Sequence, residues 1–268
     1  MSAPRHKVLI LVPVPLDADG VERRQAQLAE TTLSGEIAFE FEPVLASCEM
    51  FDSYHDWLLA DLGLFEAGMD AQDRGYDAVC VDTMSDSGVN ALRSVLDIPV
   101  IGPARASFHL ALILGNTFGV VTQWPPWIPE TIKVAGEYGL SDRLASVRAI
   151  DVPPDLDDLL DGKEDVFPQL LEAAELCVQD GADVICLAST TMHQAHGYLA
   201  QRLPVPVINP GPVTYKLAET VLSLGLRHSR RAYQRPLAPK QEMIRAMLQA
   251  AAELESSATA DDSLAPEE

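Results

Sequence analysis

The chain has 268 residues, 47% of them hydrophobic, and a formal net charge of −21. The hydrophobic content is enough for a substantial core and excludes general disorder, and the length fits one large or two medium domains. Residues 151–165 carry seven acids and one lysine, and residues 253–268 carry six acids and no base, so these segments account for −12 of the charge. The negative surface disfavours nucleic acid and anionic membranes as partners.

The amino-terminal segment predicts a cytoplasmic protein. It begins Met-Ser-Ala-Pro-Arg-His-Lys and passes directly into an apolar strand, without the apolar segment and cleavage site of a signal peptide. No apolar run approaches the roughly 20 residues that cross a bilayer. The four cysteines lack paired metal-ligand spacing, so neither a disulfide framework nor a metal site is expected.

Short apolar strands alternate with amphipathic helices along the chain, which is typical of parallel sheets covered by helices. The predicted strands span residues 7–12, 36–43, 77–82, 99–101, 117–122, 144–149, 183–187 and 206–208. The predicted helices span residues 20–33, 54–74, 87–96, 104–115, 127–138, 166–180, 191–202, 212–225 and 237–254. From about Ser256 the polar, acidic composition predicts a disordered tail over 256–268.

Two segments of the chain repeat each other. The first runs Gly75-Tyr-Asp-Ala-Val-Cys-Val-Asp-Thr-Met-Ser-Asp-Ser and the second Gly181-Ala-Asp-Val-Ile-Cys-Leu-Ala-Ser-Thr-Thr-Met-His. Each reads as a strand, a hydroxyl-rich tip, a helix and a short strand with proline. The repeat predicts an α/β fold of two pseudosymmetric doubly wound lobes with mainly parallel sheets. We assign residues 1–103 and 210–255 to the first lobe and 104–209 to the second.

The tips are the predicted functional region, because ligands of open α/β sheets bind at the carboxyl ends of the strands. We call residues 82–88 the first tip and residues 188–194 the second tip. Thr83 and Ser189 occupy matching positions in the two tips. Their hydroxyls are equally compatible with helix capping and with a cradle for a carboxylate or a developing enolate. Ser85, Thr190 and Thr191 are expected to contribute to the same cradle.

Four segments are informative when taken together. They are Asp77-Ala-Val-Cys-Val-Asp-Thr, Pro99-Val-Ile-Gly-Pro-Ala-Arg-Ala-Ser-Phe-His-Leu-Ala, Phe118-Gly-Val-Val-Thr and Pro206-Val-Ile-Asn-Pro-Gly-Pro-Val-Thr-Tyr-Lys-Leu-Ala-Glu. In this order they resemble the aspartate/glutamate and hydantoin racemase superfamily, which includes maleate isomerase and arylmalonate decarboxylase, and the resemblance covers about Lys7 to Leu226. It implies a cofactor-independent enzyme with its active site in the cleft between two lobes, and a possible homo-oligomer.

The chain departs from the resembled racemases at the two positions where they place catalytic cysteines. Thr83 and Ser189 stand there, and an aliphatic hydroxyl is a far weaker acid than a thiol with a pKa near 8.5. Cys80 and Cys186 lie three residues before these positions, so their side chains point to the opposite strand face. We expect them to be buried and inert, and the mechanism to be independent of cysteine.

Four side chains are candidates for the acid or base: Asp82, Asp86, His109 and His193. We favour Asp82, next to Thr83, and His193, whose imidazole titrates near neutral pH, although each also fits a capping or solvated role. A packing role is favoured for His109.

The turns after two strands are expected to supply the walls of the cleft. These turns contain Val12, Pro13, Gln123 and Trp124, and the second turn continues to Trp127. Apolar walls indicate a larger or aromatic substrate, although at least one tryptophan is expected to pack against the following helix.

The sequence therefore predicts an isomerase or racemase acting next to a carbonyl or carboxylate of a small molecule. A lyase, decarboxylase or ring-opening hydrolase on the same fold is the first alternative. A ligand-binding protein without catalysis is the second.

Overall fold

The computed structural model describes residues 4–48, 50–152 and 166–262. Residues 153–165, which form most of the acidic segment 151–165, lie outside the described residues. So do residues 263–268, at the end of the predicted tail. Within the described ranges, no helix combines the length and the apolar character needed to span a bilayer.

Among the described residues, eight strands form two four-stranded sheets in which every pairing is parallel. The first sheet has the order β2-β1-β3-β4 and contains β1 (His6–Val12), β2 (Ile37–Pro43), β3 (Ala78–Val81) and β4 (Val100–Ile101). The second has the order β6-β5-β7-β8 and contains β5 (Phe118–Thr122), β6 (Leu144–Ala149), β7 (Val184–Leu187) and β8 (Val207–Ile208). The equal strand orders confirm the predicted fold class, and all eight predicted strands are present.

Nine α-helices and four 3₁₀ helices are present in the described part of the chain. The α-helices are α1 (Ala18–Gln25), α2 (Tyr54–Gly68), α3 (Val89–Val95), α4 (Pro103–Leu114), α5 (Ile128–Glu137), α6 (Val166–Gln179), α7 (His193–Ala200), α8 (Pro210–Ser223) and α9 (Gln241–Asp262). The 3₁₀ helices are Ala26–Glu30, Pro125–Trp127, Ser141–Arg143 and Thr190–Met192. Helix α2 ends before the predicted residue 74, and α9 continues past Ser256, where the tail was predicted to begin.

Both sheets bury apolar side chains on both faces, as parallel sheets covered by helices do. In β1, Leu9 and Leu11 belong to one core cluster while Val8 and Ile10 belong to another. Helix α8 completes the second of these clusters through Tyr215.

The chain passes from the first sheet to the second and back again. Helix α4 packs on the second sheet through Ala104, Phe108 and Ala111, whereas α8 packs on the first. Pro103 and Pro210 begin these two helices, since the first helical position does not need an N–H group. The residues at which one domain ends and the next begins stay a prediction.

Candidate active site

A cavity between the two tips lies at the carboxyl ends of the strands of both sheets. Its space, together with its open mouth, is about 800 Å³. The lining residues are Pro13, Val14, Arg24, Met50, Phe51, Trp57, Asp82, Thr83, Met84, Ser85, Trp127, Glu130, Thr131, Ala188, Ser189 and Thr191. The structure therefore brings together five predicted polar residues, namely Asp82, Thr83, Ser85, Ser189 and Thr191, with the predicted wall residue Pro13.

The first tip presents a chain of hydroxyl groups. Thr83 Oγ1 lies 3.0 Å from Ser85 Oγ, which lies 2.8 Å from Ser87 Oγ. Either oxygen of each pair can donate, so the direction of the chain can reverse to suit a bound anion or a bound carbonyl.

The second tip combines capping with a hydroxyl pair. Ser189 Oγ accepts a hydrogen bond from the Thr191 N–H at 3.2 Å and lies 2.7 Å from Thr191 Oγ1. The predicted capping role of Ser189 is confirmed at the 3₁₀ helix Thr190–Met192, and the same hydroxyl lines the cavity. Capping and a place in the cavity therefore coexist at this residue.

A buried ion pair lies between the two tips. Arg24, from α1, places Nη1 3.2 Å from Asp82 Oδ2, and the two side chains are 11% and 2% exposed. Thr190 Oγ1 lies 3.4 Å from both Arg24 Nη1 and the Asp82 carbonyl oxygen, so Thr190 joins the tips and does not line the cavity. Burial raises the pKa of the Asp82 carboxyl, and Arg24 opposes this shift.

Asp86 anchors the first tip to α4 and does not line the cavity. Its buried carboxylate accepts hydrogen bonds from the N–H groups of Ala104 and Arg105, at 2.9 and 3.0 Å, and from the Tyr138 hydroxyl. Asp86 has a φ of 51°, in the left-handed region. The role of this sequence candidate is therefore to cap a helix.

Both histidine candidates lie outside the cavity. His193 begins α7, is 6% exposed and lines a smaller cavity with Leu16 and Gln27. His109 is exposed on α4, and its Nδ1 lies 2.8 Å from the Arg105 carbonyl oxygen. Neither imidazole is among the residues that line the cavity between the tips.

The apolar wall differs in detail from the prediction. Val12, Gln123 and Trp124 do not line the cavity; Val12 and Gln123 are completely buried, whereas Trp124 precedes the 3₁₀ turn that brings Trp127 to it. Trp127 Nε1 donates to the Phe51 carbonyl at 2.7 Å and so connects the wall to the segment before α2. The large apolar side chains of the wall are Met50, Phe51, Trp57, Met84 and Trp127, and smaller ones come from Pro13, Val14 and Ala188.

Glu130, in the first turn of α5, is an acidic lining residue that is not among the residues predicted from the sequence. Its side chain is 6% exposed, and Oε1 pairs with Lys133 Nζ at 3.1 Å. Oε2 is buried and has no hydrogen-bond partner among the described residues. Burial raises the pKa of the Glu130 carboxyl, and the hydrogen bond with Lys133 opposes this shift. The sequence does contain a signal for Glu130: it lies one turn before Val134, so this charged residue is on the buried face of α5.

None of the four cysteines lines the cavity. Cys80 and Cys186 are completely buried in β3 and β7, as predicted, and burial raises the pKa of both thiols. Cys177 is buried in α6, and burial raises the pKa of the half-buried Cys48 thiol to about 11. Thiols in these surroundings are poor nucleophiles and poor bases at neutral pH. No group of three or more His, Cys, Asp or Glu side chains within the described ranges is arranged to hold a metal ion.

The chain as a whole is similar to proteins of one known family. The model of the Asp/Glu/hydantoin racemase family matches residues 21–218. A hydantoin racemase of Pseudomonas sp. (strain NS671) is 30% identical over 69% of this chain and 74% of its own length. A hydantoin racemase of Paenarthrobacter aurescens is 28% identical over 85% of this chain and 97% of its own length. The crystal structure of an allantoin racemase from Pseudomonas fluorescens superimposes with a TM-score of 0.79 at 26% identity, over 87% of this chain and 98% of that one.

Proposed function

Because the chain belongs to the Asp/Glu/hydantoin racemase family, we propose that it is a racemase or isomerase that exchanges the proton on a carbon next to a carbonyl group. The observation that carries this proposal is the meeting of the hydroxyls of both tips in one cavity between the two sheets. The enzyme works without a cofactor, since the residues of the cavity supply acids, hydroxyls and one guanidinium group.

The hydroxyls of Thr83, Ser85, Ser189 and Thr191 hold the developing enolate oxygen. Loss of a proton from carbon moves negative charge onto the adjacent carbonyl oxygen, and fixed donors in a cavity sheltered from water stabilise that charge. Thr190 supports this arrangement from behind through Asp82 and Arg24.

The mechanism does not use cysteine. All four thiols lie away from the cavity, and a carboxylate is the alternative proton acceptor that its lining residues offer. Asp82 is one such group; His193, which belongs to the second tip but does not line the cavity, acts on the position of that tip and not on the substrate.

The substrate class is a small cyclic ureide with an apolar substituent. Two relatives are named hydantoin racemase and one neighbouring structure is named allantoin racemase. Here the wall of two tryptophans, two methionines and one phenylalanine favours a substituent larger than methyl on the carbon that loses its proton.

Deuterium exchange tests the proposal. Single enantiomers of benzyl- and methyl-substituted hydantoin, and of allantoin, are incubated in deuterated buffer with and without protein. Loss of the NMR signal of the proton next to the carbonyl and loss of optical rotation are then followed.

Variants test the roles of the two tips. Thr83→Val and Ser189→Ala are each expected to lower the exchange rate by a factor of about 10²–10³. Ser94→Ala, which removes a hydroxyl from exposed surface, serves as the control and should exchange at the parent rate. Uptake of deuterium unchanged by the two cavity substitutions would reject the roles given to the tips.

A ligand-binding protein without catalysis is the second candidate, favoured by the position of all four cysteines outside the cavity. Such a protein would bind a hydantoin without exchanging its proton, and the double substitution Thr83→Cys with Ser189→Cys would create racemase activity.

The other enzyme classes give different products. Release of carbon dioxide from a substituted malonate would indicate a lyase, and ring opening of the hydantoin would indicate a hydrolase.

A further inference from the structure

We propose that Glu130 is the base that removes the proton from the substrate carbon. This inference rests on the proposed function and names the group that replaces a thiolate in it.

The first argument is the burial of an incompletely paired carboxylate in the cavity wall. The Glu130 side chain is 6% exposed, one oxygen pairs with Lys133, and the other oxygen has no partner among the described residues. Almost all buried polar groups in proteins are hydrogen-bonded, and an incompletely paired buried carboxylate is unfavourable for the fold. We explain the missing partner by the substrate: this oxygen of Glu130 accepts the substrate proton and has a partner only when the substrate is bound.

The second argument comes from the other titratable groups of the cavity. Among the described residues that line it, only Arg24, Asp82 and Glu130 carry ionisable side chains. Arg24 has no acceptor lone pair, and the Asp82 carboxylate is held by that guanidinium. Of these carboxylates, Glu130 is therefore the one without a guanidinium partner.

The surroundings of Glu130 make its carboxylate a stronger base than that of an exposed glutamate. The charged groups that face it are Lys133 and Glu137 on its own helix and Asp61 on α2. Burial raises the pKa of its carboxyl more than Lys133 lowers it, and a carboxylate with a raised pKa accepts a proton more readily.

The proposed step balances without any further reactant. The substrate C–H bond breaks and an O–H bond forms on Glu130, while the electron pair of the C–H bond moves onto the carbonyl oxygen as an enolate. Thr83, Ser85, Ser189 and Thr191 hold that oxygen. The Glu130 carboxylic acid releases this proton to solvent, which restores the carboxylate. A proton from solvent then adds to the carbon and restores the carbonyl; addition to the opposite face gives the other enantiomer, whereas addition to the original face gives exchange without inversion.

The decisive comparison is Glu130→Gln against Glu137→Gln. Both glutamates pair with Lys133, but Glu137 is 52% exposed and does not line the cavity. Glu130→Gln is expected to lower kcat for deuterium exchange by about 10²–10⁴ with little change in KM, and Glu137→Gln to leave both unchanged. In Glu130→Ala, added formate should restore part of the exchange rate by supplying a carboxylate.

A stability measurement separates catalysis from a structural role. Because the folded-state pKa of Glu130 is raised, the folded protein holds a proton that the unfolded chain has already released. The carboxyl therefore lowers stability as pH rises through this window. Glu130→Gln should accordingly unfold at the same or a higher temperature than the parent at neutral pH, although it exchanges slowly.

The outcomes distinguish the two proposals. Exchange by Glu130→Gln within threefold of the parent, together with slow exchange by Thr83→Val, would overturn the role of Glu130 and leave the proposed function standing. A lower unfolding temperature for Glu130→Gln at neutral pH, without rescue of Glu130→Ala by formate, would assign Glu130 a structural role. Absence of exchange by the parent on every probe would overturn the proposed function and the base together.

Discussion

The contact between Gly102 and Asp86 predicts a large loss of stability for Gly102→Ala. A Cβ at residue 102 would lie 2.2 Å from Asp86 Cγ and 2.4 Å from each carboxylate oxygen, closer than real Cβ contacts. The carboxylate would have to move away from the N–H groups of Ala104 and Arg105 and from the Tyr138 hydroxyl. Hydrogen bonds to charged groups contribute about 1.5–3 kcal/mol each, so loss of two of the three bonds should cost roughly 3–6 kcal/mol.

Urea unfolding with a matched glycine checks this magnitude. Gly197 lies on the exposed face of α7, and a Cβ there meets no atom within 4 Å. Gly197→Ala should therefore raise the free energy of unfolding by about 0.5–1 kcal/mol, as for other glycines inside helices. Gly102→Ala should also slow deuterium exchange, because Asp86 fixes the first tip.

A double-mutant cycle isolates the cause of the loss. In an Asp86→Ala background the obstructing carboxylate is absent, so Gly102→Ala should cost less than about 1 kcal/mol there. Additive losses in the double variant, or a Gly102→Ala protein as stable as its parent, would refute the steric explanation.

Two further predictions concern the buried ion pair and the thiols. Arg24→Leu leaves the Asp82 carboxylate buried and unpaired, which should cost about 3–5 kcal/mol near neutral pH. Because burial raises the pKa of Asp82, protonation on acidification removes the unpaired charge, so thermal melts should show a smaller deficit at low pH; a deficit that grows on acidification would contradict this. Iodoacetamide should leave Cys80 and Cys186 unmodified in the folded protein, since burial raises the pKa of both thiols, and should modify both in denaturant. Fast modification of either thiol in the folded state, detected by peptide mass spectrometry, would show that its strand opens.

The strands and the tips could be predicted because their signals are local. Runs of β-branched and apolar residues mark buried parallel strands, and the repeat gives the strand order of one sheet from the other. Thr83 and Ser189 follow directly from that repeat, since each comes two residues after the end of a central strand.

Apart from Met84 and Ala188, the residues missed by the prediction reach the cavity from helices and loops outside the repeat. Arg24, Trp57 and Glu130 lie on three different helices, and their approach depends on how each helix packs on its sheet. Only Glu130 left a local trace, as a charged residue on the apolar face of α5. Trp124 was preferred to Trp127 because sequence does not give the rotation of the 3₁₀ turn between strand and helix.

The return of the chain to the first sheet has a consequence for folding. Tyr215, which is 1% exposed, packs with Val8, Ile10 and Phe41, so one face of the first sheet stays uncovered until α8 has been synthesised. The core of the second sheet draws on residues 104–208 alone, apart from Met84 and Val213 at its edge, and its contacts are closer in sequence. Contacts of short sequence separation form faster on average. We therefore expect the amides of β5 and β7 to be protected before those of β1 and β3 in pulse-labelled hydrogen exchange during refolding.

The same order has a consequence during synthesis. A ribosome-bound chain that ends before residue 210 would carry one folded half and one sheet with an exposed apolar face. In this state the protein is most prone to aggregation.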